Sequence, residues 1–183
     1  MTVAPQLNWR TREQLRRAHR PQNLRLLFIG EAPPASGRFF YRRDSGLYRA
    51  MLEVFQKAHP SINDETFLAE FRASGCYLVD LCTEPVDRLE AGPRRAACRA
   101  AEPDLAKTLS QLRPEMIATL VRSIEANVRN AVESAEWNGK LIHLPYPGRW
   151  SHLKENFVKA LFPVVRSLTL KFASENADHS FCR

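Results

Sequence analysis

What this chain lacks narrows its function before any motif is read. No apolar run is long enough to span a bilayer, and no hydrophobic segment follows the polar, basic start, so neither a membrane span nor a signal peptide is expected. No Walker A loop and no dinucleotide fingerprint occurs. No spacing of His, Cys and Asp matches a zinc site, so no metal is expected. The four cysteines, Cys76, Cys82, Cys98 and Cys182, are expected as reduced thiols in a cytoplasm. No internal repeat is visible. Acidic residues are in deficit: 20 Asp and Glu face 27 Lys and Arg, for a formal charge of +7 and a pI near 9.6.

The excess charge is mostly arginine, the residue of planar, bidentate phosphate contact, and it points to an anionic partner. A solvated basic surface is the plain alternative. The arginines are clustered, however. Arg10, Arg12, Arg16, Arg17, Arg20 and Arg25 crowd the start, and Arg38, Arg42, Arg43 and Arg49 flank a run of aromatics. Arg94, Arg95 and Arg99 open a helical stretch, where the helix dipole does not favour cations. Clustering of this kind favours nucleic acid.

A chain of 183 residues is long enough for one well-formed core. Residues 1–23 read as a basic arm with one short helix, in which Thr11 and Gln14 have capping-box spacing. Residues 24–172 read as a single domain and 173–183 as a polar tail. Apolar runs predict strands over Leu24–Ile29, Cys76–Leu81, Met116–Val121 and Lys140–Leu144. Helical periodicity predicts helices after Ser45, over Asp64–Ala73, Arg94–Leu112 and Ser123–Ala135, and from Ser151, with Pro163 splitting or kinking the last. Thr83–Pro93 reads as a loop. Strands separated by helices predict an α/β fold, a four-stranded parallel sheet in a three-layer αβα sandwich.

Two turns built from Pro, Gly and aromatics follow strand ends: Gly30 to Tyr41, and Leu144 to Trp150. If their strands are parallel, both open on one edge of the sheet, the edge where ligands bind in open α/β folds. Asp80 ends a third strand on that edge. The expected cleft holds Glu31, Phe40, Asp80, Tyr146 and Arg149.

The stretch GEAPPASG followed by FYRRDSGLY resembles the first motif of the uracil-DNA glycosylase superfamily. Gly30, Ala32, Pro33 and Gly37 match the frame of its family 5, and Glu31 matches the iron-sulfur family 4. Phe40, Ser45, Gly46, Leu47 and Tyr48 follow in order, and the resemblance covers roughly residues 24–165. It implies a fold of the kind already expected. It also implies an enzyme that flips a damaged base from DNA and hydrolyses its N-glycosidic bond, which cannot be reached inside the stack.

The resemblance assigns roles by position. Gly30 and Ala32 would line the base pocket, and Phe40 would stack on the flipped base. Because alternation points neighbours to opposite sides, one or two of Phe39, Phe40 and Tyr41 belong to the core, and Phe40 is open to that reading as well. Asp80 falls where family 4 has an Asn that reads the base edge and family 5 an Asp that positions water. A carboxylate in so apolar a strand is costly unless paired or at a solvated cleft; the alternative is a loop-capping Asp bonded to Thr83. Glu31 is the rival for the water. Arg149 or Trp150 would fill the hole left by the base, with a buried Trp150 heading its helix as the alternative. Arg38, Arg42, Arg43, Arg149, Trp150 and His152 are the expected DNA contacts.

Two departures stand out. The superfamily's second motif is typically His-Pro-Ser, whose His bonds the leaving base, whereas this chain reads Leu144-Pro145-Tyr146. His143 lies one residue earlier and on a strand would point away from the side Leu144 faces, leaving Tyr146, Arg149 or a displaced His143 as the donor. Cys82 and Cys98 match the second pair of the family 4 cluster ligands, but the first pair is absent. Two thiolates do not hold a four-iron cluster, so no cofactor is expected. The resulting expectation is a monomeric, metal-free DNA glycosylase acting on a damaged or deaminated base in double- or single-stranded DNA. The alternatives are a degenerate member that binds DNA or a base without cleaving it, and a hydrolase of nucleosides or nucleotides.

Overall fold

A computed structural model of the chain describes residues 7–148 and 150–178, with side chains described through residue 168. Arg149, Cys182 and the end of the expected tail lie outside the described residues. The LLFIG run forms β1 (Leu26–Gly30), buried over its whole length, as a strand covered on both faces must be. It pairs in parallel with β2 (Cys76–Asp80) on one side and β3 (Met116–Thr119) on the other. β3 pairs in parallel with the half-exposed edge strand β4 (Lys140–His143). The sheet order is β2-β1-β3-β4.

That order fixes the layers. The chain moves from β1 to β2, then crosses back past β1 to β3. Right-handed crossovers in opposite directions put their helices on opposite faces. Accordingly α2 (Gly46–Ala58) packs with α7 (Ser151–Asp178), and α5 (Glu102–Leu112) packs with α6 (Glu125–Ser134). The expected three-layer α/β sandwich is present. Its switch point falls at the carboxyl ends of β1 and β3.

The core on the α2 face is aromatic. Phe28, Phe40, Tyr48, Phe55, Phe67 and Phe71 form a network of ring pairs with centroids 5.2 to 6.2 Å apart. The edge-on and tilted pairs suit the ring quadrupoles, each adding about 0.5–1.5 kcal/mol beyond burial. Ser45 caps α2, its Oγ accepting from the Tyr48 amide at 3.1 Å. Gly75, between α3 (Phe67–Ala73) and β2, has φ +74°, and a Cβ there would lie 2.8 Å from the Asn23 carbonyl.

Several boundaries differ from the sequence expectation. The single helix expected over Arg94–Leu112 is two, α4 (Ala91–Ala100) and α5, with Pro103 in the first turn of α5. Proline fits that turn, whose N–H groups have no intrahelical acceptor, but it cannot continue the preceding helix. α4 also takes up the end of the expected loop Thr83–Pro93. Pro163 does not split α7. It is exposed, as is Lys159 one turn earlier, so the carbonyl it leaves unpaired faces water. The N-terminal helix, α1 (Trp9–Ala18), is capped by Asn8, whose Oδ1 accepts from the Thr11 amide at 2.9 Å, instead of by Thr11. This helix is docked on the domain: Arg12 is buried and its Nη2 donates to the Thr83 carbonyl at 2.7 Å.

Phe71→Ala, which empties the centre of the ring network, is expected to cost about 3–5 kcal/mol. Gly75→Ala should cost about 1–2 kcal/mol from the left-handed backbone alone. Urea unfolding midpoints at constant slope check both.

Candidate active site

A cleft of about 380 Å3 opens at the switch point, within the usual range for small-ligand sites. Its chemistry comes from Glu31, Phe39, Phe40, Asp80, Arg94 and Tyr146. Glu31 follows β1, Asp80 ends β2, and Leu120 and Val121 follow β3 along the same wall. Tyr146 comes from the turn after β4. The two Pro/Gly turns therefore meet, as the parallel sheet requires.

Gly30 and Asp80 are register partners across β1 and β2. A Cβ on residue 30 would sit 2.7 Å from Asp80 Oδ1. Glycine is needed there because the carboxylate lies against the backbone. Asp80 is not bonded to Thr83. Its Oδ2 accepts from Arg16 Nη2 at 3.0 Å, with the two side chains 9% and 13% exposed. Oδ1 accepts no hydrogen bond among the described residues and lies against Gly30, which lines the cleft. Burial pushes the Asp80 carboxyl above the usual value, while Arg16 and then Arg12 oppose the shift.

Glu31 differs. Arg94 grips it with two nitrogens, Nε donating to Oε1 at 2.8 Å and Nη2 to Oε2. Both carboxylate oxygens are thus engaged in a fork that fixes the side chain. The placement of Arg94 in the first turn of α4, unfavourable to the helix dipole, is explained by this partner. Asp87 shapes the rim by accepting from the Ala35 amide at 3.1 and 3.2 Å.

The rings divide in a way the sequence did not show. Phe39 and Phe40 both line the cleft, yet they are only 2% and 3% exposed. Phe40 is held by Tyr41, Tyr48, Phe67 and Phe71, so its ring is a fixed wall of the cleft, backed by the core as the alternative reading expected. The open ring is Tyr146, which is 49% exposed. Burial, with Asp80 adding to it, pushes the Tyr146 phenol above its ordinary value, so its hydroxyl remains a donor.

His143 does not line the cleft. Its Nδ1 contacts the Thr119 hydroxyl and lies 3.7 Å from Glu125 Oε1. The strand alternation that buries Leu144 turns His143 away. Gly30 and Ala32 do line the cleft. Trp150 is not buried: it is 67% exposed at the start of α7, and its carbonyl accepts from the Leu153 and Lys154 amides. His152, Arg38 and Arg43 are exposed, whereas Arg42 is half-buried and paired with Asp44 at 3.3 Å. Arg149 lies outside the described residues.

Cys82 and Cys98 do meet, with sulfurs 3.9 Å apart, and Cys98 Sγ is 3.9 Å from Glu31 Oε1. Two thiols with one carboxylate already held by arginine do not fit a four-thiolate cluster, and Cys76 sits at the far end of β2. No set of three metal-ligating side chains occurs among the described residues.

The fold is thus a parallel α/β sandwich whose switch-point cleft carries two carboxylates and several rings. The chain belongs to the Uracil DNA glycosylase superfamily, whose family model matches residues 18–166. Members of that superfamily are in general DNA glycosylases, hydrolases of base excision repair. A comparison with curated proteins found no match. No helix among the described residues is long and apolar enough to cross a membrane.

The two site arginines were missed as site residues. Arg94 carried a signal, a cation at the wrong end of a helix. Arg16 carried none, because its partner lies 64 residues away. Burial pushes the Cys82 thiol up to about 12, with Cys98 adding to it, and raises Cys98 as well. Iodoacetamide at pH 8 should therefore label neither in the folded protein and both in urea, as read by mass spectrometry of the peptides.

Proposed function

We propose that the cleft receives a damaged or deaminated base flipped out of DNA and that the protein hydrolyses its N-glycosidic bond. The observation that carries this reading is the state of the two carboxylates. Asp80 Oδ1, beside Gly30 at the cleft, has no hydrogen-bond partner among the described residues, while both oxygens of Glu31 are committed to Arg94. Asp80 directs a water molecule to the sugar C1′ and takes its proton. The bond from C1′ to the base nitrogen breaks, and the base leaves with the bonding pair and is then protonated.

With Leu144 at the superfamily's His position, the donor to the leaving base is the Tyr146 phenol. The base lies between the Phe39 and Phe40 wall and the open Tyr146 ring. Arg38, Arg43 and His152 hold phosphates, and Trp150 is the ring that enters the gap in the stack. The protein acts as a monomer in the cytoplasm.

The second reading is a binder that does not cleave. What favours it is the turning of His143 toward Thr119 and Glu125, which leaves the cleft without an imidazole. Such preorganised donors are worth several kcal/mol in transition states.

Oligonucleotides carrying uracil, hypoxanthine or xanthine, assayed for abasic sites, decide between the two. Product with at least one lesion is expected, and Asp80→Asn should lower kcat by about 100-fold or more. Glu31→Gln should mainly lower stability. Because only the ionised carboxylate accepts the proton, and burial raises Asp80, the acidic limb of kcat should lie above the usual ~3.9 of an aspartate. Binding without any abasic product would favour the second reading, and a binding constant indifferent to salt would exclude DNA as the partner.

A further inference from the structure

We propose that Arg16 is the positioning residue for Asp80, and that α1 is therefore part of the active site. It holds one carboxylate oxygen so that the other stays turned to the cleft. The inference rests on the reading of Asp80 as the water-directing group.

Arg16 makes contacts in three directions. Nη2 donates to Asp80 Oδ2 at 3.0 Å, Nη1 donates to Glu13 Oε2 at 2.6 Å, and the guanidinium carbon lies 5.6 Å from the ring centre of Phe39, which lines the cleft. The fork thus spans from the helix that carries it to the cleft wall. Its Nε is buried with no hydrogen-bond partner among the described residues. A buried guanidinium with an orphaned N–H is an expensive way to dock a helix, and apolar side chains of similar volume do that better. The arrangement makes sense if the group it holds must remain a fixed carboxylate. One turn earlier Arg12 clamps the chain just beyond, donating to the Thr83 carbonyl at 2.7 Å and pairing with Glu84 at 3.1 Å.

Asp80 and Arg16 also border a second cavity of about 370 Å3 between α1 and α5, on the other side of the β2 edge. Arg16 lines that cavity as well, so its grip on Oδ2 leaves Oδ1, against Gly30, on the cleft side. The superfamily match begins at residue 18, so this partner is supplied by a segment outside the matched core.

The groups that face Asp80 are Arg16 and Arg12 from α1, Tyr41, Cys82 and Tyr146. Tyr41, Cys82 and Tyr146 are all raised and stay neutral near neutral pH, so among the described residues Arg16 and Arg12 are the charges that oppose the upward push of burial on Asp80. Arg16→Gln should therefore lower kcat about 100-fold with little change in KM, as misplacement of a catalytic group does. Its acidic limb should move to higher pH. Arg16→Lys, which keeps the charge without the planar fork, should recover part of kcat and leave the limb in place. In an Asp80→Asn background, Arg16→Gln should cost no further kcat, because the two act as one unit.

Wild-type cleavage of a lesion, with the limb and kcat of folded Arg16→Gln unchanged, would overturn the positioning role and leave the site's function standing. So would full additivity with Asp80→Asn. Absence of wild-type cleavage on every lesion would overturn the functional reading, and this inference with it. Should Arg16→Gln fail to fold, Arg16→Lys decides: a lower kcat at an unchanged limb supports the proposal, and wild-type kcat overturns it.

Discussion

Placing a carboxylate at the end of a buried parallel strand is the constraint from which much of this structure follows. Asp80 lies against the backbone of Gly30, in a strand whose other members are apolar and covered. Left alone there, the group would be neutralised by desolvation. Arg16 offsets that cost, and to reach it α1 must be docked instead of free. Docking brings Arg12 to the Thr83 carbonyl and His19 against the Tyr41 ring, with centroids 5.0 Å apart. A local electrostatic need thus places α1 against the sheet.

The second carboxylate follows a parallel logic with a different outcome. Glu31 is gripped by both nitrogens of an arginine fork and touches a thiol. It stiffens the turn after β1 and ties it to α4. The two acids after β1 and at the end of β2, which both line the cleft, therefore differ in their partners. One is a brace, and the other keeps an oxygen with no partner among the described residues.

The aromatic run after that turn serves packing more than recognition. Phe39, Phe40 and Tyr41 all go inward, where rings from α2 and α3 interlock with them. Two exposed rings, Tyr146 and Trp150, stand in and just after the turn that follows β4, in the segment whose motif departs from the superfamily pattern.

The strand periods, the helix after Ser45 and the GEAPP turn were legible in the order of residues. Each is a local event in which neighbours a few positions apart determine the backbone. With them came the parallel sheet and its ligand edge, and hence the convergence of Glu31, Asp80 and Tyr146. The break before Pro103 and the intact helix through Pro163 were not, since both depend on what each proline faces. Nor were the Arg16 to Asp80 and Arg94 to Glu31 pairs, which join residues 64 and 63 positions apart. Sequence alone determined which elements form and which edge they present. Only tertiary structure decided which acid is free, which ring is open and which arginine belongs to the site, because charge pairing and burial are settled by three-dimensional neighbours and leave no period along the chain.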